Sequence, residues 1–515
     1  MLPKSLRVII ALPLFTALTL FFVDYLGRLP LVLHGLAHIQ IVPALFGNLL
    51  TIFIVWMLLT LLFGRIYCSA ICPLGILKDA VARCLTKHRY KFRKPQLLLR
   101  YGLLTACIAG FLLNFNLIVS LLDPYGIYGR MVTHLFRPLV IAGHNLTALV
   151  AREQGYHGIW YVQNIISWQS AAVSFATLLL VVLLSWCYGR LYCNTVCPVG
   201  ATLGLLSRFS LFRVRLREDC ISCGLCEQRC KAECIDSKEK TVDASRCVAC
   251  FNCLNVCKQG SLVYGMNAAK SFSRYSNAAN APAQSRRTFL GMVIAAIGAS
   301  LGAASNLPTG VSRVPYKQKH PITPPGAGNL ERFQQRCTAC HLCITKCPYH
   351  TIQPAITDYG LSGFLQPVIS FEHGYCIFDC VICTQVCPNH ALLPISMAEK
   401  HHLQIGKVVL ILENCVVDTQ HTNCGACAEH CPTGAVAMVP FGKPEDALTI
   451  PVITDVDLCI GCGACEYICP VRPYRAIYVE GNPVHLEAKP AFDPTEKQQE
   501  IKLDDFGFGS IPFPG

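Results

Sequence analysis

Charge is scarce in this chain: Asp, Glu, Lys and Arg make up only 15% of 515 residues, while 53% are hydrophobic. That balance excludes a disordered or wholly solvated protein and leans toward membrane spans joined to soluble parts. Acidic residues are the rarer sign, 31 against 44 Lys and Arg. The net charge of +13 does not read as a nucleic-acid surface, because the basic residues gather beside apolar runs, where they set membrane orientation. Also missing are a Gly-rich dinucleotide loop after a strand, a nucleophile elbow, and any molybdenum or flavin motif, so no substrate-pocket signature is present. The length is too great for one core, and several domains are expected.

Long apolar runs, in contrast, are plentiful. Five stand out, at 8–23, 46–63, 99–121, 171–187 and 289–305, each about long enough to cross a bilayer as a helix. None contains histidine, which argues against a b-type haem held between membrane helices. Between the second and third runs lie Lys78, Arg83, Lys87, Arg89, Lys91, Arg93, Lys94 and Arg100, and after the fourth come Arg208, Arg213, Arg215 and Arg217. The positive-inside rule then places the N terminus, the loop 64–98 and the segment 206–285 in the cytoplasm, and everything after the fifth run on the opposite face. "SRRTFLG" at 285–291 precedes that fifth run. Arg286 and Arg287 either simply hold the near side of the run in the cytoplasm or form a twin-arginine export signal set inside the chain, which suits a domain that acquires metal clusters before crossing the membrane folded.

Thirty-two cysteines are too many for background. A disulfide framework suits small secreted domains, whereas these cysteines fall in C-x-x-C repeats and read as metal ligands. Cys220, Cys223, Cys226, Cys230 and Cys247, Cys250, Cys253, Cys257 form two C-x2-C-x2-C-x3-C runs. In such a pair the fourth Cys of each run ligates the other cluster, so Cys257 joins the first three and Cys230 the second three. Cys234 is a reserve for Cys230. Four more runs follow: Cys337/Cys340/Cys343/Cys347, Cys376/Cys380/Cys383/Cys387, Cys415/Cys424/Cys427/Cys431 and Cys459/Cys462/Cys465/Cys469, each ending in Cys-Pro. The first of them contains C-x-x-C-H, a haem attachment signal. A haem there would strand Cys343 and Cys347, so the stretch reads as iron–sulfur, with His341 a surface residue or a hydrogen-bond donor beside the ligands. Six [4Fe-4S] clusters and no haem are expected.

Four further cysteines lie in a repeat. "FGRIYCSAICPLG" (63–75) and "YGRLYCNTVCPVG" (188–200) share G-R-x-Y-C-x3-C-P-x-G at an offset of 125 residues. Both close an apolar run on the cytoplasmic side, so a pseudo-two-fold axis along the membrane normal would bring Cys68, Cys72, Cys193 and Cys197 together as one further metal or iron–sulfur site. The alternative is that these motifs only end their helices. Cys84, Cys107 and Cys187 stand alone.

These motifs carry a resemblance. The first 270 residues, with two C-x3-C-P motifs and a cytoplasmic two-cluster module, resemble the NapH type of membrane polyferredoxin. The remainder, with a twin-arginine leader and four Cys runs, resembles the periplasmic NapG and methylamine-utilisation (MauM) ferredoxins, so the chain looks like a fusion of the two. The resemblance implies a quinol dehydrogenase of the bacterial inner membrane. It would pass electrons from the quinone pool, or a cytoplasmic donor, to a periplasmic nitrate reductase-type protein, cytochrome or flavoprotein. It also implies nested cluster pairing: Cys337, Cys340, Cys343 with Cys469; Cys459, Cys462, Cys465 with Cys347; Cys376, Cys380, Cys383 with Cys431; and Cys415, Cys424, Cys427 with Cys387. A quinol site needs a proton acceptor near the membrane surface, and the loop after the third run offers Asp123, Tyr125, Tyr128, His134 and Arg137; the same residues would equally serve as interfacial anchors. The rival function is copper or other metal reduction at the C-x3-C-P cysteines, as in polyferredoxins of oxidase assembly. The expected architecture is an α-helical membrane domain of about five helices plus α+β ferredoxin-like modules. Its boundaries are a four-helix domain over 1–210, a cytoplasmic module over 211–268, a linker and fifth helix over 269–310, an exported four-cluster domain over 311–485, and an irregular tail.

Overall fold

The apolar runs become helices, though not all at the expected length. The computed structural model describes residues 2–25, 27, 29, 35–85, 90–113, 115–266, 314–316, 318–441 and 448–490. The helices that matter are α1 (Leu2–Val23), α2 (Leu50–Phe63), α3 (Pro73–Leu85), α4 (Leu97–Leu112), α5 (Pro124–Met131), α6 (Trp168–Tyr188) and α7 (Pro198–Ser207). Among the described residues, two helices are long and apolar enough to cross a membrane, Lys4–Val23 within α1 and Trp168–Tyr188; α2, α4 and α7 are apolar but shorter.

The five-helix expectation is therefore met only in part, and the shortening has local causes. Over 46–63 the chain breaks at Gly47 and Asn48, the latter at φ 58°, and a separate short helix, Ile41–Phe46, precedes it. Over 99–121 the helix stops at Leu112. The Phe115 N–H turns back to the Gly110 carbonyl, and a short helix, Leu117–Leu122, follows. The run 289–305, the twin-arginine stretch and most of the tail lie outside the described residues.

Burial on α6 is inverted relative to a water-soluble core, and α1 buries Leu18, Phe21 and Phe22 while turning other apolar residues outward. Ser170, Ser174 and Ser185 of α6 are buried, whereas Phe175, Leu179, Leu180 and Leu183 are exposed, as are Leu6, Ile9, Leu12 and Leu20 of α1. Small polar residues at helix contacts with large apolar ones facing out is the arrangement that lipid favours.

The chain divides into two compact units, and the half expected as one domain over 311–485 is split between them: 326–369 and 382–394 join the first 307 residues, while 308–325, 370–381 and 395–515 form the second. In the first unit, strands β1 (Phe212–Leu216), β2 (Ile235–Asp236), β3 (Thr241–Val242) and β4 (Leu262–Met266) make two antiparallel pairs, β1 with β4 and β2 with β3. The later cysteine segment of this unit carries the hairpin β5 (Ile352–Pro354) and β6 (Pro367–Ile369).

These two cysteine-bearing modules hold opposite ends of α1. Near its start, Arg7 pairs with Asp79 at 2.9 Å, and Asp79 also faces Lys231 of the β1–β4 module at 3.6 Å. Just past its end, Asp24 pairs with Lys346 at 2.6 Å, whose ammonium lies over the Phe21 ring. A helix of 22 residues is about 33 Å long, close to the thickness of a bilayer's hydrocarbon core. The second unit is built on β7 (Leu403–Leu410) paired with β10 (Ile477–Glu487) and β8 (Val436–Phe441) paired with β9 (Leu448–Ile453), all antiparallel. Val408, Val417, Val436 and Ile477 form its core together with cysteines.

Candidate metal centre

Each regular run winds its backbone around its own thiols. The residues on either side of the second cysteine have positive φ in all four: Ser222 and Gly224, Ala249 and Phe251, Ala339 and His341, Gly461 and Gly463. For a non-glycine residue that conformation costs about 1–2 kcal/mol. It persists where the surroundings impose it, commonly at functional sites. Here it curls three cysteines toward one point, and none of the 32 cysteines forms a disulfide.

Four cavities collect these thiols. Cys337, Cys340, Cys343 and Cys387 line one. In the second unit, Cys415, Cys424, Cys427 and Cys469 line another, and Cys431, Cys459, Cys462 and Cys465 a third. The fourth is lined by Cys230, Cys247, Cys250 and Cys253, with Cys234 as a fifth thiol; Cys234 Sγ is 3.5 Å from Cys230 Sγ. Cys220 and Cys223 lie beside Cys226, and Cys226 and Cys257 pack in one core. Cys347, Cys376, Cys380 and Cys383 line none of these cavities. Cys84 and Cys187 are exposed and Cys107 is buried.

The cavities group the thiols differently from the nested pairing. Of the four runs after residue 311, Cys387 joins the first where nesting puts Cys469, Cys469 joins the third where nesting puts Cys387, and Cys431 joins the fourth where nesting puts Cys347. In each of these cavities the fourth thiol comes from the run adjacent in the chain.

Of the two expectations for His341, the surface one fails, since it is 1% exposed, and the hydrogen-bonding one holds. Its Nε2–H donates to the Leu365 carbonyl at 2.7 Å, because that oxygen only accepts. Its Nδ1 therefore accepts from His134 Nε2–H at 2.6 Å. Burial, with Arg130 and Arg137 alongside, pushes the His134 imidazole down to about 4, so neutral rings fit the pair. Both nitrogens of His341 are engaged within the protein and neither is offered to a haem.

The loop residues considered for a quinol are buried and mostly engaged. Asp123 caps α5 by accepting from the Tyr125 and Gly126 N–H groups. Burial raises its carboxyl to about 6, against those hydrogen bonds and Arg130. Tyr128 O–H meets Thr19 Oγ1 at 2.5 Å, and Tyr125 is buried beside Phe22. Arg137 is buried near Cys347 and Asp24. Around them, Arg130 donates to the Ala339 carbonyl at 3.0 Å and Thr133 meets Thr345 at 3.0 Å. This stretch thus docks the Cys337–Cys347 segment.

The two C-x3-C-P repeats do come together, and they exchange arginines. Arg65 of the first donates to the Cys193 carbonyl at 2.9 Å and the Asn194 side chain at 2.8 Å; Arg190 of the second donates to the Cys68 carbonyl at 2.7 Å. Each guanidinium also reaches the sulfur of its own repeat, Arg65 to Cys68 Sγ at 3.8 Å and Arg190 to Cys193 Sγ at 3.9 Å. A side chain at Gly75 or Gly200 would strike the Cys68 or Cys193 carbonyl respectively, which explains the closing glycine of the motif. All four thiols are buried.

Among the described residues, no three His, Cys, Asp or Glu side chains converge closely enough to hold a single metal ion. Four thiols around one cavity, the arrangement that recurs in these modules, fit the ligand set of a four-iron cluster. Sequence reasoning missed the left-handed residues flanking each second cysteine, and it missed Lys78. This side chain is 1% exposed and lies near Cys193, Cys197 and Cys72.

Comparison with known proteins agrees with this chemistry. A family described as "4Fe-4S binding domain" matches residues 45–95 and 170–217, one C-x3-C-P repeat in each, and a "4Fe-4S dicluster domain" matches 422–473. The ferredoxin-type protein NapG of Escherichia coli is 29% identical over 196 residues, 36% of this chain and 82% of its own length. The ferredoxin-type protein NapF of the same organism is 27% identical over 166 residues, 32% of this chain and 90% of its own. The methylamine utilization ferredoxin-type protein MauM of Methylobacillus flagellatus is 29% identical over 152 residues, 29% of this chain and 63% of its own. No solved structure matches. Ferredoxin-type 4Fe-4S domains are present, and with them an iron–sulfur electron-transfer function.

Proposed function

We propose that the chain is a membrane-embedded conductor of single electrons, with six [4Fe-4S] clusters on ferredoxin-type cysteines and one further iron–sulfur centre on Cys68, Cys72, Cys193 and Cys197. Electrons enter from quinol or a cytoplasmic donor, and leave to a redox partner of nitrate reductase type on the far side of a bacterial inner membrane. The helices cross that membrane with the N terminus and the β1–β4 module in the cytoplasm; the fifth apolar run after the twin-arginine stretch is the last crossing. The observation that carries this reading is the placement of cysteine modules at opposite ends of α1, one tied through Asp79 and the other through Lys346.

Clusters bound at these thiols supply one-electron carriage at potentials set by their surroundings. The chain's own residues do the rest. The four buried repeat thiols exclude water from their centre, the left-handed turns fix the ligands of the regular runs, and Arg130, Thr133 and His134 hold the outer module against the helices. The metal-reducing alternative would use the same four repeat cysteines, and metal analysis separates the two readings.

Anaerobic purification followed by iron and acid-labile sulfide counting tests the proposal. About 24 irons per chain are expected from six four-iron sites and about 28 with the repeat centre. Reduction by a menaquinol analogue should then develop cluster signals in EPR. Stoichiometric copper or zinc without sulfide would overturn it.

A further inference from the structure

The repeat site is richer in positive charge than its protein surroundings can balance. Among the described residues Lys78 Nζ has no hydrogen-bond partner; it lies 3.9 Å from the centroid of the Tyr192 ring, and the thiols of Cys193, Cys197 and Cys72, together with the Arg190 guanidinium, are its ionisable neighbours. Arg65 is fully buried and spends its donors on carbonyls, the Asn194 amide and a sulfur. Arg190 pairs with Asp79 at 2.8 Å, but that carboxylate also faces Arg7 and Lys231. A buried cation is costly unless an opposite charge accompanies it.

The repeat itself marks Lys78 as special. At the offset of 125 residues, Arg65 maps onto Arg190, Cys68 onto Cys193, Cys72 onto Cys197 and Gly75 onto Gly200, but Lys78 maps onto Leu203. Leu203 is buried, so packing at this position needs only an apolar side chain. The symmetric frame accounts for four thiols and two arginines. The ammonium is added on one side.

We propose that Lys78 is the built-in counter-charge of an iron–sulfur core held by Cys68, Cys72, Cys193 and Cys197, and that it raises the potential of that core. The inference rests on the repeat centre proposed above. A core ligated by four thiolates is anionic, and one-electron reduction adds one negative charge without needing a proton. A fixed ammonium in a water-poor site favours the reduced form over the oxidised one. Lys78 is a positioning residue: it touches the ligand sulfurs' surroundings and supplies no ligand.

The test is an EPR-monitored redox titration of the anaerobically purified full chain. The repeat centre is identified as the component lost in Cys68→Ser/Cys193→Ser. In Lys78→Met, the reduced-to-oxidised ratio of that component at a fixed potential should fall about tenfold, a shift of about 59 mV for one electron. Lys78→Arg should restore most of it, and the other components should stay in place. If Lys78→Met sheds only that component's iron and Lys78→Arg regains it, the counter-charge is equally established. An unmoved midpoint with iron retained overturns the role of Lys78. A wild-type spectrum from which the cysteine pair removes nothing overturns the repeat centre itself.

Discussion

Asp79 answers three cations, with Arg190 at 2.8 Å, Arg7 at 2.9 Å and Lys231 at 3.6 Å. Burial alone would raise its carboxyl, but Arg190, ahead of Lys231 and Arg7, holds it well below the usual carboxylate range. Asp79→Asn keeps the shape and leaves a buried guanidinium without its anion. Breaking a buried pair in this way costs about 3–5 kcal/mol, so the melting temperature of the detergent-solubilised protein should fall clearly. The sign with pH follows from the depressed folded value. The stabilisation is complete above the unfolded carboxyl pKa of about 3.9 and is lost as pH falls through the lower folded value. Wild type and variant should therefore differ equally at pH 7 and pH 5 and converge only in stronger acid. Equal melting temperatures at pH 7 would show that the ion cluster contributes nothing.

At the level of elements, the cysteine runs were legible from spacing, and their partnerships were not. Spacing within a run fixes three ligands locally, whereas the fourth comes from whichever run folds alongside, and that depends on connections such as the hairpin of β5 and β6. The cavities pair neighbours, Cys387 with Cys337, Cys340 and Cys343, and Cys469 with Cys415, Cys424 and Cys427. Pairs of substitutions separate this from nesting. Cys337→Ser/Cys387→Ser strikes one site and should lose about four irons, while Cys415→Ser/Cys387→Ser strikes two and should lose about eight. Iron counting with EPR reads the difference; the reverse result would reinstate the nested order. Helix lengths were half legible for a similar reason. Hydropathy sees the apolar run over 99–121 but not the turn in which the Phe115 N–H returns to Gly110. The docking of Asp24 on Lys346 and of His134 on His341 joins residues far apart in the chain, and no local pattern announces such contacts.

On the scale of the whole first unit, the four repeat thiols have neighbours on both sides. Asp79, in the same loop-helix as Cys72, faces Lys231, and the Lys231 carbonyl accepts from the Arg190 N–H at 2.9 Å. On the other side, Tyr192 O–H donates to the Leu122 carbonyl at 2.8 Å, next to Asp123, and Arg130 carries the contact on to Ala339 beside Cys340. On the proposed reading the repeats hold the centre between the two end modules, and those modules keep their own ligands when it is removed. Cys68→Ser/Cys193→Ser should therefore leave the ferredoxin-type clusters intact while interrupting transfer between them. In proteoliposomes with an impermeant reductant outside and trapped ferricyanide inside, bleaching by the variant should be slower by about tenfold or more, equivalent to a barrier increase of at least about 1.4 kcal/mol. Protein-free vesicles set the leak rate. Wild-type speed in a variant that retains about 24 irons would mean that charge crosses the bilayer by a path that bypasses the repeats.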